Sequence, residues 1–168
     1  MSKVVRIANG QGFWGDSIDA PVRLVEAGGI DYLTLDYLAE VTLSIMQKQR
    51  RKDPQLGYAT DFVDLMKRIL PQLKAKKIRV VANAGGVNPE ACRTAVLEVA
   101  KKLGVTGLKI ATVTGDDVLA RLPQFKEKGP KLANMDTGEG LLDAPRELLT
   151  ANRHPQPQPL VQPPATRP

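Results

Sequence analysis

At 168 residues the chain is long enough for one domain with a real core and too short for two large ones. Its 42% hydrophobic and 25% charged residues exclude a wholly disordered chain or a collagen-like fibre. The net charge is +6, and a single cysteine (Cys92) and a single histidine (His154) exclude an internal disulfide, a zinc finger, a multi-His metal site and Ser-His-Asp chemistry within the folded part.

In chain order, short β-branched runs alternate with longer amphipathic ones. Residues 3–8 read as the first strand, and 21–27, closed by Gly28-Gly29, as a helix with a glycine stop. A second strand covers 30–35. Residues 38–49 and 61–75 each keep apolar residues on one helical face, so both are expected to cover the sheet, with Pro71 kinking or dividing the second. The third and clearest strand is 78–82. The clearest helix is 89–103, with Asn88 as its N-cap, Pro89 at its first position and Gly104 at its end. Residues 108–113 read as a fourth strand, followed by Gly115-Asp116-Asp117 and a short helical piece through Leu122.

Strand-helix alternation of this kind predicts an α/β fold: a Rossmann-like open parallel sheet of about four or more strands, with right-handed crossovers and helices on both faces. The composition breaks after Asn152. Residues 153–168, RHPQPQPLVQPPATRP, hold six prolines and are expected to form an extended, disordered tail rather than an SH3-type ligand. The domain is therefore expected to span 1–152.

Partners are constrained by the same residues. Arg153 and Arg167 contribute two of the positive charges from the tail, the others are dispersed along helices, and only 4% of residues are aromatic. A nucleic-acid surface would need a basic stripe with stacking rings, so no such partner is expected. No apolar run reaches the roughly 18–20 residues of a membrane span, and the N-terminus lacks a signal-type apolar region. A cytoplasmic protein without a membrane partner is expected.

Ligands of an open parallel sheet bind beyond the carboxyl ends of its strands, so the segments that follow the strands hold the candidate site. These segments are NGQGFWGD (9–16), Asp36-Tyr37, NAGGVN (83–88) and TGDD (114–117). In 83–88, glycine amides and the start of the next helix could cradle a phosphate or carboxylate through Asn83, Gly85, Gly86 and Asn88. Alternatively, Gly85 and Gly86 merely permit a tight turn. The segment is neither a Walker loop nor a GxGxxG motif. In 9–16, Asn9, Gln11, Gly12, Phe13, Trp14 and Asp16 could form a flap or an acyl or adenine platform, or the two rings could pack as core.

Asp36, Asp116 and Asp117, beside Gly115, are the candidate acids and bases. Asp16 and Asp116 also stand where helix N-caps belong, and no metal site is expected. Cys92, in a first helical turn, could be an activated thiol but reads better as a small core residue.

Six motifs in order, NGQGFWGD (9–16), GGIDYL with DYLAE (28–40), GYATDF (57–62), NAGGVNP (83–89), GDD (115–117) and ANMDTG (133–138), resemble the acyclic terpene utilisation family of the AtuA type over roughly residues 4–152. The resemblance implies a protein of citronellol- and geraniol-type catabolism, a pathway running through CoA thioesters. It assigns no residue a catalytic role and no cofactor. Family members continue with further strands where this chain turns proline-rich, so the resemblance implies a truncated member with an exposed apolar edge or face that invites association.

The expected ligand is a small molecule of the acyl-CoA or phosphorylated type. The expected protein partner is a second copy of the chain or a partner subunit. Whether the chain is an enzyme, a non-catalytic scaffold that holds a CoA ester, or an inactive fragment stays open at this level.

Overall fold

The computed structural model describes residues 4–121, 123–125, 133 and 136–140. The proline-rich segment 153–168 and the end of the expected domain lie outside the described residues. The elements are β1 (Ile7–Gln11), α1 (Asp19–Ala27), β2 (Tyr32–Leu35), α2 (Glu40–Lys52), α3 (Thr60–Lys76), β3 (Arg79–Ala82) and α4 (Pro89–Lys102), followed by a single 3₁₀ turn at Leu119–Arg121. The fold is α/β, with a parallel sheet in the order β1-β2-β3.

Three expectations need correction. The first concerns β1, which begins at Ile7 rather than residue 3 and takes in Asn9, Gly10 and Gln11, expected as loop. Pairing starts at Ile7 with Tyr32 and ends at Gln11 with Leu35, across a bulge between Asn9 and Gln11. A Cβ on Gly10 would lie 2.8 Å from Pro21 Cβ and 3.0 Å from Leu33 Cδ1, so this glycine lets α1 approach the sheet closely.

The second concerns 108–113, which pairs with no strand. Exposure still alternates along it, with Leu108 and Ile110 packed on the core and Lys109 and Ala111 exposed. The period-two pattern thus reports burial of one side, but a strand also needs a ladder, and none forms there. Three strands are shown among the described residues, not four or more.

The third concerns the layers. Right-handed crossovers between successive neighbours in the order β1-β2-β3 carry α1 and α3 to the same side of the sheet. Consistently, α1 packs on α3 and α3 on α4. Leu43 and Met46 of α2 join the same continuous core as Val25, Leu33, Leu65, Ile69 and Val96. Instead of covering a sheet face, α2 leans on the loop after β3: Met46 faces Gly86, and Arg50 Nη1 donates to Val87 O. The other face carries Ile7, 61% exposed, and Arg79, which stacks on Tyr32 at 5.5 Å and donates to its hydroxyl at 2.6 Å. Among the described residues no helix covers it.

α3 runs unbroken through Pro71. Pro71 is exposed while Ile69, Leu70 and Leu73 are buried, so water can solvate the carbonyl that loses its helical partner and packing holds the helix together. Asn88 caps α4 as expected: its Oδ1 accepts from Ala91 N, and its Nδ2 donates to Pro54 O and Leu56 O, both at 2.8 Å.

Gly86 has φ +52°, and a Cβ there would lie 2.3 Å from Met46 Sδ and 2.9 Å from Gly57 O. Gly86→Ala is therefore expected to cost roughly 2–4 kcal/mol, the left-handed strain plus the overlap with α2 and a backbone oxygen. Denaturant unfolding reads this, and an unchanged midpoint would show that the turn and α2 shift freely.

Candidate functional site

The carboxyl ends of the three strands are tied together in sequence. Asp36 N donates to Gln11 O at 3.0 Å, linking the ends of β1 and β2. The Asn83 carboxamide links β2 to β3: its Oδ1 accepts from Tyr37 N at 2.7 Å, and its Nδ2 donates to Asp36 Oδ1 at 2.6 Å. Asp36 is exposed and also accepts from Leu38 N at 3.3 Å. Asn9 lies on the side of the sheet away from the core, where its carboxamide meets the Thr34 hydroxyl at 3.1 Å and, turned end for end, donates its nitrogen to Gln11 O and Thr34 O. Gln11, Asp36 and Asn83 are thus brought together, with Asn9 alongside.

The loop 12–18 closes over this end. Asp16 is its clasp, not a helix cap: Oδ2 accepts from Gly12 N at 3.1 Å and Oδ1 from Ser17 N at 2.9 Å. The α1 cap position is Ile18, which has no side chain able to cap, and Ser17 Oγ accepts from Asp19 N instead. The two rings of the loop separate. Trp14 packs against the core, whereas Phe13 stands 61% exposed.

Beneath Trp14 lies a cluster that strand-end reasoning passed over. Tyr37 is fully buried and meets Phe62 edge-on at 5.8 Å. Asp61, in the first turn of α3, accepts from Phe62 N and from the Trp14 indole. Burial raises the Asp61 carboxyl above the ordinary carboxylate range, against these hydrogen bonds, which lower it. Burial also raises the Tyr37 phenol, with the Asp61 charge adding to it, and raises Tyr58. Cys92 is a core residue: it is 5% exposed, and desolvation pushes its thiol up to about 12, so the helix dipole does not activate it. The signal for Asp61 was present in the sequence, as an acid inside the GYATDF motif at the start of a helix.

In 83–88 three of the amides that would cradle an anion already have partners. Gly86 N donates to Asn83 O, Val87 N to Gly57 O and Asn88 N to Gly85 O. Pro89 has no N–H, Ala91 N goes to Asn88 Oδ1, and Cys92 N to Asn88 O. Gly85 and Gly86 serve the tight turn, since a Cβ on Gly85 would lie 2.9 Å from Pro89 Cβ.

Gly115, Asp116 and Asp117 lie in an irregular stretch, with Gly115 at φ +124°. Thr112 Oγ1 donates to Glu90 Oε1, so this stretch leaves from the first turn of α4, at the same end of the sheet. Among the described residues no three His, Cys, Asp or Glu side chains gather as metal ligands. Nor is any helix among them long and apolar enough to cross a membrane.

The profile of the acyclic terpene utilisation family protein AtuA matches residues 5–154. The chain belongs to this family. Neither the comparison with curated proteins nor that with solved structures gave a match. In this AtuA-family chain two of the motifs are mutual packing partners: Ala59 N donates to Ala84 O and Val87 N to Gly57 O, both at 2.9 Å. The GYATDF and NAGGVNP motifs therefore form one structural unit, which sets Asp61 and Asn83 at the strand ends.

Two outcomes test the site. Asn83→Ala strips the buried Tyr37 amide of its acceptor and is expected to cost about 1–3 kcal/mol in denaturant unfolding, where a neutral result would mean another acceptor takes over. For Asp61, the folded carboxyl holds its proton to higher pH than the unfolded one. Stability therefore falls as pH rises from the ordinary carboxylate range through the raised folded value. The Tm of Asp61→Asn minus that of the parent is expected to grow between pH 4 and pH 7, and a constant difference would show an unshifted carboxyl.

Proposed function

We propose that the chain binds a small molecule derived from an acyclic terpene at the carboxyl ends of the strands, under the loop 12–18, and so serves acyclic terpene utilisation in the cytoplasm. Family membership supports the pathway. What carries the location is the convergence of Gln11, Trp14, Tyr37, Asp61 and Asn83, contributed by the first four family motifs, on one end of the sheet. Trp14, Phe62 and the exposed Phe13 offer apolar rings to a branched hydrocarbon, while Asp36 and Asn83 offer polar groups at its edge.

The ligand fits this reading best as the acyl part of a CoA ester. With the amides of Gly86, Val87 and Asn88 engaged internally, the phosphates would fall to the basic end of α2, where Lys48, Arg51 and Lys52 are exposed. Acid-base chemistry, if the bound ester is turned over, is assigned to Asp36, Asp116 and Asp117.

Trp14 is the only tryptophan, so its fluorescence reports on the site directly. Titrating the full chain with a branched acyl-CoA is expected to change that fluorescence saturably and to raise Tm by linkage, about 2.7 kcal/mol of stabilisation at a hundred times Kd. Trp14→Phe should keep a Tm rise of the same sign but smaller. Unchanged fluorescence together with an unchanged Tm would overturn the reading.

A further inference from the structure

Apolar spacing predicts a single inward face for the helix over 38–49, but α2 divides its apolar residues between two faces. Leu43 and Met46 are buried in the core, whereas Val41 is 68% and Ile45 41% exposed. At about 100° per residue, Val41, Ile45, Lys48 and Lys52 fall on one stripe, opposite Leu43, Met46 and Arg50. Two exposed apolar side chains alone are ordinary. What sets this pair apart is the charge on either side of it. Glu40 stands at one end of the helix and Lys48, Arg51 and Lys52 at the other, all exposed, and among the described residues none of the four is in a salt bridge. They find no partner along their own helix, since no acid lies three or four residues from any of these cations and no base from Glu40. Glu40 and Arg51 are separated by about 16 Å along the axis.

From this pattern we infer that the outer face of α2 is a homodimer interface, in which α2 packs antiparallel on α2 of a second copy about a two-fold axis near Ile45. A two-fold interface requires a self-complementary surface, and this one has opposite charges almost equally spaced from an apolar middle, Glu40 five residues before Ile45 and Arg51 six after. In that arrangement Ile45 meets the partner's Ile45. Val41 packs on the methylene stems of the partner's Lys48 and the partner's Lys52, and Glu40 faces the partner's Arg51 in two symmetric pairs. The helix dipoles then lie head to tail, with the basic end of each α2 over the acidic end of the other. A parallel pair would set Glu40 on the partner's Glu40 and is disfavoured. One helix about 20 Å long makes a small contact, so the dimer dissociates on dilution. The inference goes beyond the proposed function and does not rest on it, because the ammonium groups of Lys48 and Lys52 stay at the rim, in water.

Sedimentation velocity of the full chain over about a hundredfold range of concentration is expected to show monomer passing to dimer. Ile45→Asp is expected to stay monomeric throughout, with the Tm of the dilute parent, since its side chain lies outside the core. The deciding measurement exchanges charges at two exposed positions, and so still decides where Ile45→Asp loses stability. Glu40→Arg and Arg51→Glu, each alone, are expected to dimerise about tenfold more weakly than the parent, because both symmetric pairs become repulsive. Mixed in equal amounts, the two variants form a heterodimer in which both pairs are again opposite in sign, and the parent's association returns.

A parent that is monomeric at every concentration overturns the interface. So does a dimer that survives Ile45→Asp at full strength, which would have formed elsewhere, such as on the sheet face that carries Ile7. A mixture that associates no more tightly than its two components overturns the antiparallel pairing of Glu40 with the partner's Arg51, and with it the proposal.

Discussion

One carboxamide holds the functional end of this fold in place. The side chain of Asn83 uses its acceptor on the backbone of Tyr37 and its donor on the carboxylate of Asp36. Sheet pairing between β2 and β3 ends at Leu35 and Ala82, so the next residues on each strand would otherwise separate. With Asn83 as a side-chain rung the two ends stay together one residue longer. That extra residue directs Tyr37 into the core under Trp14 and leaves Asp36 exposed beside it. Burial of the Tyr37 ring, its contact with Phe62 and the position of its hydroxyl beside Gln11 all follow from this one placement.

Gly57 and Gly86 serve the same assembly. Gly57 has φ +105°, and a Cβ on it would lie 2.9 Å from Arg50 Cβ, while Gly86 admits Met46. Both positions let α2 and the loop before α3 lie directly on the turn after β3. Two motifs that are 26 residues apart in sequence, Gly57 and Asn83, thus meet through backbone bonds. The glycine-rich turn that resembles an anion cradle on paper has the donors of Gly86, Val87 and Asn88 bonded within the fold. Composition alone could not separate these alternatives, since a turn and a cradle need the same glycines, and only the acceptors of Gly86, Val87 and Asn88 distinguish them.

Much of the fold was legible in the sequence because periodicity reports burial. All four helices fall where their apolar spacing placed them, within a few residues at each end, and Asn88 caps α4. The misreadings have a common origin in effects that span elements. Gly10 reads as a loop residue, yet it is a strand residue whose missing Cβ admits Pro21 of a later helix. Leu108 and Ile110 read as strand because their side faces the core, but ladder formation depends on a neighbouring edge that the pattern does not encode. In the site, Gln11 and Asn83 were visible as strand-end polar residues. Tyr37 stands in the segment after strand two and Asp61 in the GYATDF motif, but neither is assigned a role from sequence, because their significance lies in burial against residues from other motifs.

Carboxylates gather where the helices begin, around the carboxyl ends of the strands. Each helix that starts there carries its own acid in the first turn: Asp19 on α1, Glu40 on α2, Asp61 on α3 and Glu90 on α4. These acids complement the positive ends of the helix dipoles from within the chain. Asp19 and Glu90 are further committed to Arg68 and Arg93. An incoming anion would have to compete with four resident carboxylates, while the carboxamides of Asn83 and Gln11 are already bonded to Tyr37 N, Asp36 and Phe13 O. Positive charge stands instead at the C-terminal end of α2, where Lys48, Arg51 and Lys52 are exposed and the basic residues complement the negative end of the helix dipole.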